Sequence, residues 1–78
     1  MQITIYTKSN CPYCAGAKRL LNSKGLEYTE IKVDANAATQ WSFFSEYPEV
    51  KQMPFIMIDG QRVGGFAGLQ AALTQVGL

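Results

Sequence analysis

The stretch Phe55-Ile56-Met57-Ile58-Asp59-Gly60-Gln61-Arg62-Val63 is the strongest local signal in this chain, and it constrains the fold more than any other. Two short strand-forming runs flank Asp-Gly, the dipeptide that suits the two positive-φ positions of a type I′ turn. A hairpin is expected there. Upstream, Ile3 and Ile5 alternate with Thr4 and Tyr6, the period-two pattern of a strand. Pro12 then suits a first helical position, and Cys14, Ala17 and Leu21 recur on one helical face. Gly25 is placed for a left-handed cap, with Leu26 folding back onto Leu21 in a Schellman ending. Tyr28 to Val33 alternates again. Strand, helix and strand within about 30 residues form a βαβ unit with parallel strands.

From Asn36, the residues Ala37, Trp41 and Phe44 keep helical spacing until Pro48 forbids continuation. Trp41, Phe43 and Phe44 are read as core and helix-packing residues. Gly64-Gly65 breaks the hairpin's second strand, and Phe66, Leu69, Leu73 and Val76 make the apolar face of a last helix that Gly77 ends. The expected order is βαβ-α-ββα: an α/β chain with one mixed sheet covered by helices, in a single domain over residues 1–78.

With 78 residues, the chain is about half the size of a typical domain. Seven Lys and Arg against six Asp and Glu leave a net charge of +1, which gives no electrostatic footprint for nucleic acid or an anionic membrane. At 47% apolar and 17% charged residues, the composition belongs to a folded chain. The apolar runs fall far short of the ~20 residues that span a bilayer. The start MQITIYTKSN has no long apolar segment, so no secretory signal is visible and a reducing cytoplasm is the expected location. Histidine is absent, which removes Ser-His-Asp triads, Cys-His pairs and imidazole metal ligands. The two cysteines remain as the candidates for difficult chemistry.

Cys11-Pro12-Tyr13-Cys14 lies where the first strand runs into the first helix. Helix N–H groups and the positive end of the helix dipole favour a thiolate at Cys11 by about 0.3–1 kcal/mol, reaching ~2 in favourable geometry. At about 1.4 kcal/mol per pKa unit, that lowers a thiol by roughly one unit. Lys8 adds a cation nearby, and together they bring Cys11 toward the ~3.5–7.5 range of activated thiols. Cys14 falls one turn deeper, on the face of Ala17 and Leu21, where burial keeps it protonated and shielded. The three-residue spacing suits a disulfide within one helical turn. One sulfur would attack and the other resolve. As a staple the bond would contribute little, because the loop it closes is short. A zinc or iron site needs about four ligands, so no bound metal is expected from two thiols and no histidine.

IYTKSNCPYC followed by AKRLL and KG, with MPFIMIDG and VGG downstream, resembles the dithiol glutaredoxins of the CPYC type, in a small bacterial or phage-like form. The resemblance runs across essentially the whole chain in matching order and spacing. It implies a thioredoxin-like fold, a four-stranded mixed sheet flanked by three helices on its two faces. It also implies a thiol-disulfide oxidoreductase that uses glutathione as co-substrate to reduce protein disulfides and glutathione mixed disulfides. In the family's pattern Cys11 is the nucleophile and Cys14 the resolving thiol. Lys8 would pair with glutathione's glycyl carboxylate, Tyr13 would border the groove, and Gln40 would lie near the same carboxylate. Met53 would offer its backbone to the glutathione cysteine ahead of a cis Pro54, and Gly65, Phe66 and Ala67 would line the γ-glutamyl end. Read without the resemblance, Lys8 is a solvated strand-end cation and Tyr13 an exposed aromatic at a helix start.

Two departures stand out. The family's Thr-Val-Pro is Gln52-Met53-Pro54 here, and its Cys-Asp-Asp or Ser-Asp-Asp after the glycines is Phe66-Ala67-Gly68, which removes the carboxylates that would meet the γ-glutamyl ammonium. The expected partners are glutathione, recharged through glutathione reductase, and disulfide-bearing proteins, with ribonucleotide reductase as one candidate; a monomer is expected. Two rivals accompany this reading. One is a glutaredoxin-like redoxin fed by thioredoxin reductase and donating to ribonucleotide reductase. The other is a dimer in which two copies of Cys11 and two glutathiones hold an iron–sulfur cluster.

Overall fold

The computed structural model describes residues 1–78. The expected order is observed: β1 (Ile3–Thr7), α1 (Pro12–Ser23), β2 (Thr29–Lys32), α2 (Ala37–Glu46), β3 (Phe55–Ile58), β4 (Gln61–Gly64) and α3 (Phe66–Gln75). The four strands form one sheet in the order β2-β1-β3-β4. β1 is parallel to β2 and antiparallel to β3, so Ile5 sits between Glu30 on one side and Ile56 on the other. Asp59 and Gly60 both take positive φ, 51° and 80°, as a type I′ turn requires. Within the hairpin the register slips: Met57 faces Arg62 whereas Ile56 faces Gly64, which leaves Val63 as the extra residue of a bulge.

Strand alternation divides the core in two. Ile3, Ile5 and Ile56 face Ala17 and Leu21 of α1 and Leu69 and Leu73 of α3. On the opposite face Val33, Met53 and Phe55 meet Phe43 of α2, with Tyr6, Tyr47 and Met57 packed around them. Helices thus cover both faces. α1 ends as the sequence predicts: Gly25 has φ 68°, its N–H donates to Asn22 O, and the Leu26 N–H donates to Leu21 O. At the other end of the chain, Leu78 N–H donates to Leu73 O past a left-handed Gly77. No helix is long and apolar enough to cross a membrane.

Two expectations about the core do not hold. Trp41 is 74% exposed and Phe44 37% exposed, while Phe43 alone of α2 is buried. The row Thr39, Phe43, Tyr47, spaced by four and four, is as compatible with a helical face as Ala37, Trp41, Phe44, spaced by four and three, and it is the former that faces the sheet. Periodicity alone does not choose between two such rows. Val76, expected on the apolar face of α3, is 60% exposed because it is the helix's C-cap, where the chain turns away from the sheet.

Candidate active site

β1 ends in Thr7, which is buried, and its hydroxyl donates to Glu30 Oε2 at 2.7 Å. Lys18 Nζ of α1 reaches the same oxygen at 3.0 Å. The Thr7 hydroxyl, then the Lys18 ammonium, hold the Glu30 carboxyl below the usual carboxylate range, against the opposing effect of burial. β1, β2 and α1 are thereby tied together immediately before the cysteine loop. In that loop Asn10 takes a left-handed φ of 55°, a conformation that asparagine accepts more readily than most residues. The Ser9 N–H donates to Asp34 Oδ2 at 3.0 Å, and this bond holds the Asp34 carboxyl below its ordinary range.

Cys11 is the N-cap of α1, with extended backbone, and its Sγ accepts the Cys14 N–H at 3.1 Å. Pro12 follows at the first helical position, where a missing N–H leaves no bond unmade. The sulfurs of Cys11 and Cys14 are joined in a disulfide across a Cα separation of 5.2 Å, so the site stands in its oxidised form. Cys14 is only 3% exposed, packed with Val33, Phe43, Met53 and Phe55, whereas Cys11 is half-buried. An attacking thiol must be reachable and a resolving thiol need only reach its neighbour, and the two burials differ in that sense.

Opposite the cysteines, the Met53–Pro54 peptide bond is cis, and the Met53 carbonyl oxygen lies 3.5 Å from Cys11 Sγ. From there a groove of about 490 Å³ opens, lined by Tyr13, Gln52, Met53, Pro54, Phe55, Gly64, Gly65, Phe66, Ala67 and Gly68. Six residues expected in glutathione contact (Tyr13, Met53, Pro54, Gly65, Phe66 and Ala67) come together on it. Lys8 and Gln40 do not. Lys8 is exposed on the cysteine loop and takes no part in a salt bridge. Gln40 lines a separate depression on α2 with Ala37, Trp41, Phe44 and Ser45. No group of three or more His, Cys, Asp or Glu side chains converges anywhere.

Three features of the site escape a reading of the sequence. A Cβ on Gly68 would lie 1.7 Å from the Val63 carbonyl oxygen, so glycine there lets α3 close onto β4. Its signal is a glycine inside an otherwise regular helix, which disfavours the helix by about 1 kcal/mol relative to alanine and so asks for a packing reason. Arg62 places its guanidinium 5.0 Å from the Tyr47 ring centroid and 5.7 Å from that of Phe55, while pairing with Glu49. Asp34 as the acceptor for Ser9 has no local signal at all, since 25 residues separate them.

The family model for glutaredoxin matches residues 3–63. Glutaredoxin 3 of Escherichia coli is 41% identical over 76 residues, covering 97% of this chain and 90% of that protein. Glutaredoxin 1 from Francisella tularensis, crystallised with cacodylate, superposes with a TM-score of 0.80 at 27% identity over 96% of this chain and 94% of its own. A buckwheat glutaredoxin–glutathione complex gives 0.77 at 22% identity, covering 95% and 69%, a likeness of fold. With its cysteine pair at the head of α1, its cis proline opposite and its thioredoxin-like sheet, the chain belongs to the glutaredoxin family, the glutathione-dependent thiol-disulfide oxidoreductases.

Proposed function

We propose that Cys11 carries the attack and Cys14 the resolution, with glutathione seated on the groove formed by Tyr13, Met53, Pro54, Gly65, Phe66 and Ala67. The observation that carries this is the position of Cys11 Sγ, which accepts a helix N–H and faces the carbonyl of Met53, a residue that lines the groove. The Cys11 thiolate attacks one sulfur of the substrate disulfide. A bond forms from Cys11 to that sulfur, the substrate S–S bond breaks, and the other sulfur leaves as a thiolate with the electron pair. Cys14, once deprotonated, attacks Cys11 Sγ, closes the internal disulfide and expels the second substrate thiolate. Two glutathiones reverse these steps and leave as glutathione disulfide. When the substrate is a glutathione mixed disulfide, a second glutathione replaces Cys14.

Met53 would meet the glutathione cysteine through its main chain, as an added strand pairs with a sheet edge. Lys8 serves the glycyl carboxylate from the loop; Gln40 is left out of the site because it lines another depression. The finer assignments are a monomer working in a reducing cytoplasm, with ribonucleotide reductase among its disulfide partners. Family potentials of about −200 to −230 mV allow recharging by a glutathione pool.

The test is turnover of a glutathione mixed disulfide with NADPH and either glutathione plus glutathione reductase, or thioredoxin reductase alone. Turnover in the first arm is expected. Turnover confined to the second would move the chain to the redoxin rival. A visible absorbance band after anaerobic reconstitution with iron, sulfide and glutathione would favour the cluster-bearing dimer.

A further inference from the structure

None of the ten residues lining the groove beside Cys11 is charged. Its wall is aromatic: the rings of Tyr13 and Phe66 lie 6.3 Å apart, within the range of favourable aromatic contact. Tyr13 is 68% exposed and lines the groove from its open side. Phe66 is anchored from behind, packed against the core shared by α1 and α3. A Cβ built on Gly16 would stand 3.8 Å from the Phe66 ring, an ordinary contact distance, so α1 runs directly alongside the ring. The wall is thus fixed on one side and open on the other, continuous with the reacting sulfur through Met53.

We propose that this wall selects among protein disulfides, favouring a polypeptide whose attacked half-cystine is flanked by an apolar or aromatic side chain, with Tyr13 and Phe66 as the specificity-determining residues. This inference rests on the oxidoreductase reading and names its substrate class. A charged flanking side chain entering the groove beside Tyr13 and Phe66 sheds water and meets no counter-ion among the ten lining residues, which is unfavourable. An apolar one gains the burial of its surface against two rings. Partial burial of a leucine- or phenylalanine-sized side chain gives a preference on the order of ten-fold. The chemistry is unchanged: the Cys11 thiolate bonds to the half-cystine sulfur, the peptide's partner sulfur departs as a thiolate, and Cys14 then releases the bound peptide as its thiolate.

The test uses the reduced full-length chain and four symmetric peptide disulfides, identical except for Phe, Ser, Asp or Lys beside the cysteine. Second-order rates are read from the thiol released in a single turnover. The Phe peptide should react roughly ten times faster than the Asp and Lys peptides, with Ser between. Phe66→Ala should collapse that ratio to about two-fold or less, and Phe66→Leu should restore part of it. Ala67→Asp, at an exposed position, should raise the Lys peptide above the Asp peptide, whether or not Phe66→Ala folds. Equal rates for all four peptides with the native chain would overturn the selection and leave the oxidoreductase reading intact. Failure to reduce any of them would overturn both.

Discussion

The two faces of the sheet are packed with different materials. Beneath α1 and α3 the core is aliphatic, built from Ile3, Ile5, Ala17, Leu21, Ile56, Leu69 and Leu73. Beneath α2 it is aromatic: the rings of Tyr6, Phe43, Tyr47 and Phe55 lie within about 6 Å of one another, Phe43 at 4.8 Å from Tyr6. The redox machinery is attached to the second. Cys14 and Met53 are members of the aromatic cluster, and Cys11 packs at its border. α1 therefore joins the faces: its later turns give Ala17 and Leu21 to the aliphatic core, and its first turn gives Cys14 to the aromatic one. Stability and reactivity should be separable by face.

The largest effect should come from the cysteines. Cys11→Ser is expected to abolish all thiol-disulfide exchange, because Cys14 is too buried to attack an outside disulfide. Cys14→Ser should keep reduction of glutathione mixed disulfides and lose the two-thiol reduction of protein disulfides. Assays of both variants on both substrates check this, and an equal loss across all four combinations would erase the distinction between a half-buried attacker and a fully buried resolver.

Next come the two cores. Leu21→Ala, at a fully buried aliphatic position, should cost about 2–5 kcal/mol in denaturant unfolding. The Cys11 thiolate titration, followed by ultraviolet absorbance, should stay in place and below the ordinary thiol value of about 8.5, since the helix N-terminus is retained. Phe43→Ala should cost about 3–5 kcal/mol and also speed alkylation of Cys14 in the reduced protein, because it opens the packing against that sulfur. If Leu21→Ala speeds Cys14 alkylation as much as Phe43→Ala does, the faces are not separable.

The faces were not equally legible in the sequence. The aliphatic one follows largely from local rules: alternation places Ile3 and Ile5, helical spacing places Ala17, Leu21, Leu69 and Leu73, and Asp59-Gly60 sets the hairpin whose first strand carries Ile56. The aromatic face is where pattern reading failed, because α2 carries apolar residues on two rows and the one that packs is chosen by how the helix sits on Tyr6 and Phe55. The sequence reads Trp41, Phe43 and Phe44 alike as core, and only Phe43 is buried. The CPYC motif and its place at a helix start were visible in the chain itself. The cis Met53–Pro54 bond was expected from family likeness alone, because a proline's neighbours say little about its isomer. Arg62 over Tyr47 and Phe55, and Glu30 under Thr7 and Lys18, join residues far apart in sequence, and such tertiary contacts have no local signature.

Arg62 gives a smaller, one-sided effect. Its guanidinium lies over two rings of the aromatic face and none of the aliphatic one. Arg62→Ala should therefore lower stability by about 0.5–1 kcal/mol, the value of a cation–π contact at an exposed site. Arg62→Lys should recover only part of it, because an ammonium lacks the flat face that stacks. Near-ultraviolet circular dichroism should change for both, reporting Tyr47. A variant with unchanged stability would mean that the rings hold the 47–55 segment without the cation.

The smallest effect concerns acid, and it belongs to the aliphatic side, where Glu30 pairs with Ile5 across β1 and β2. The folded-state carboxyl of Glu30 lies below its ordinary value of 4.5 because the Thr7 hydroxyl and Lys18 bind its charged form. A carboxyl with a depressed folded pKa binds more protons unfolded than folded, so its stabilisation is fully present above the unfolded value. It is lost as pH falls below about 4.5 and through the folded value. Glu30→Gln should therefore lower stability at neutral pH and flatten the acid limb of the stability curve. Glu49 also titrates below its ordinary value, through its own backbone N–H first and Arg62 second, but it is exposed and meets solvent screening. Glu49→Gln should leave the acid limb nearly as steep as in the native chain. Urea midpoints measured from pH 3 to pH 7 for the three proteins distinguish the two carboxylates. A flattening larger for Glu49→Gln than for Glu30→Gln would transfer the acid sensitivity to the aromatic face.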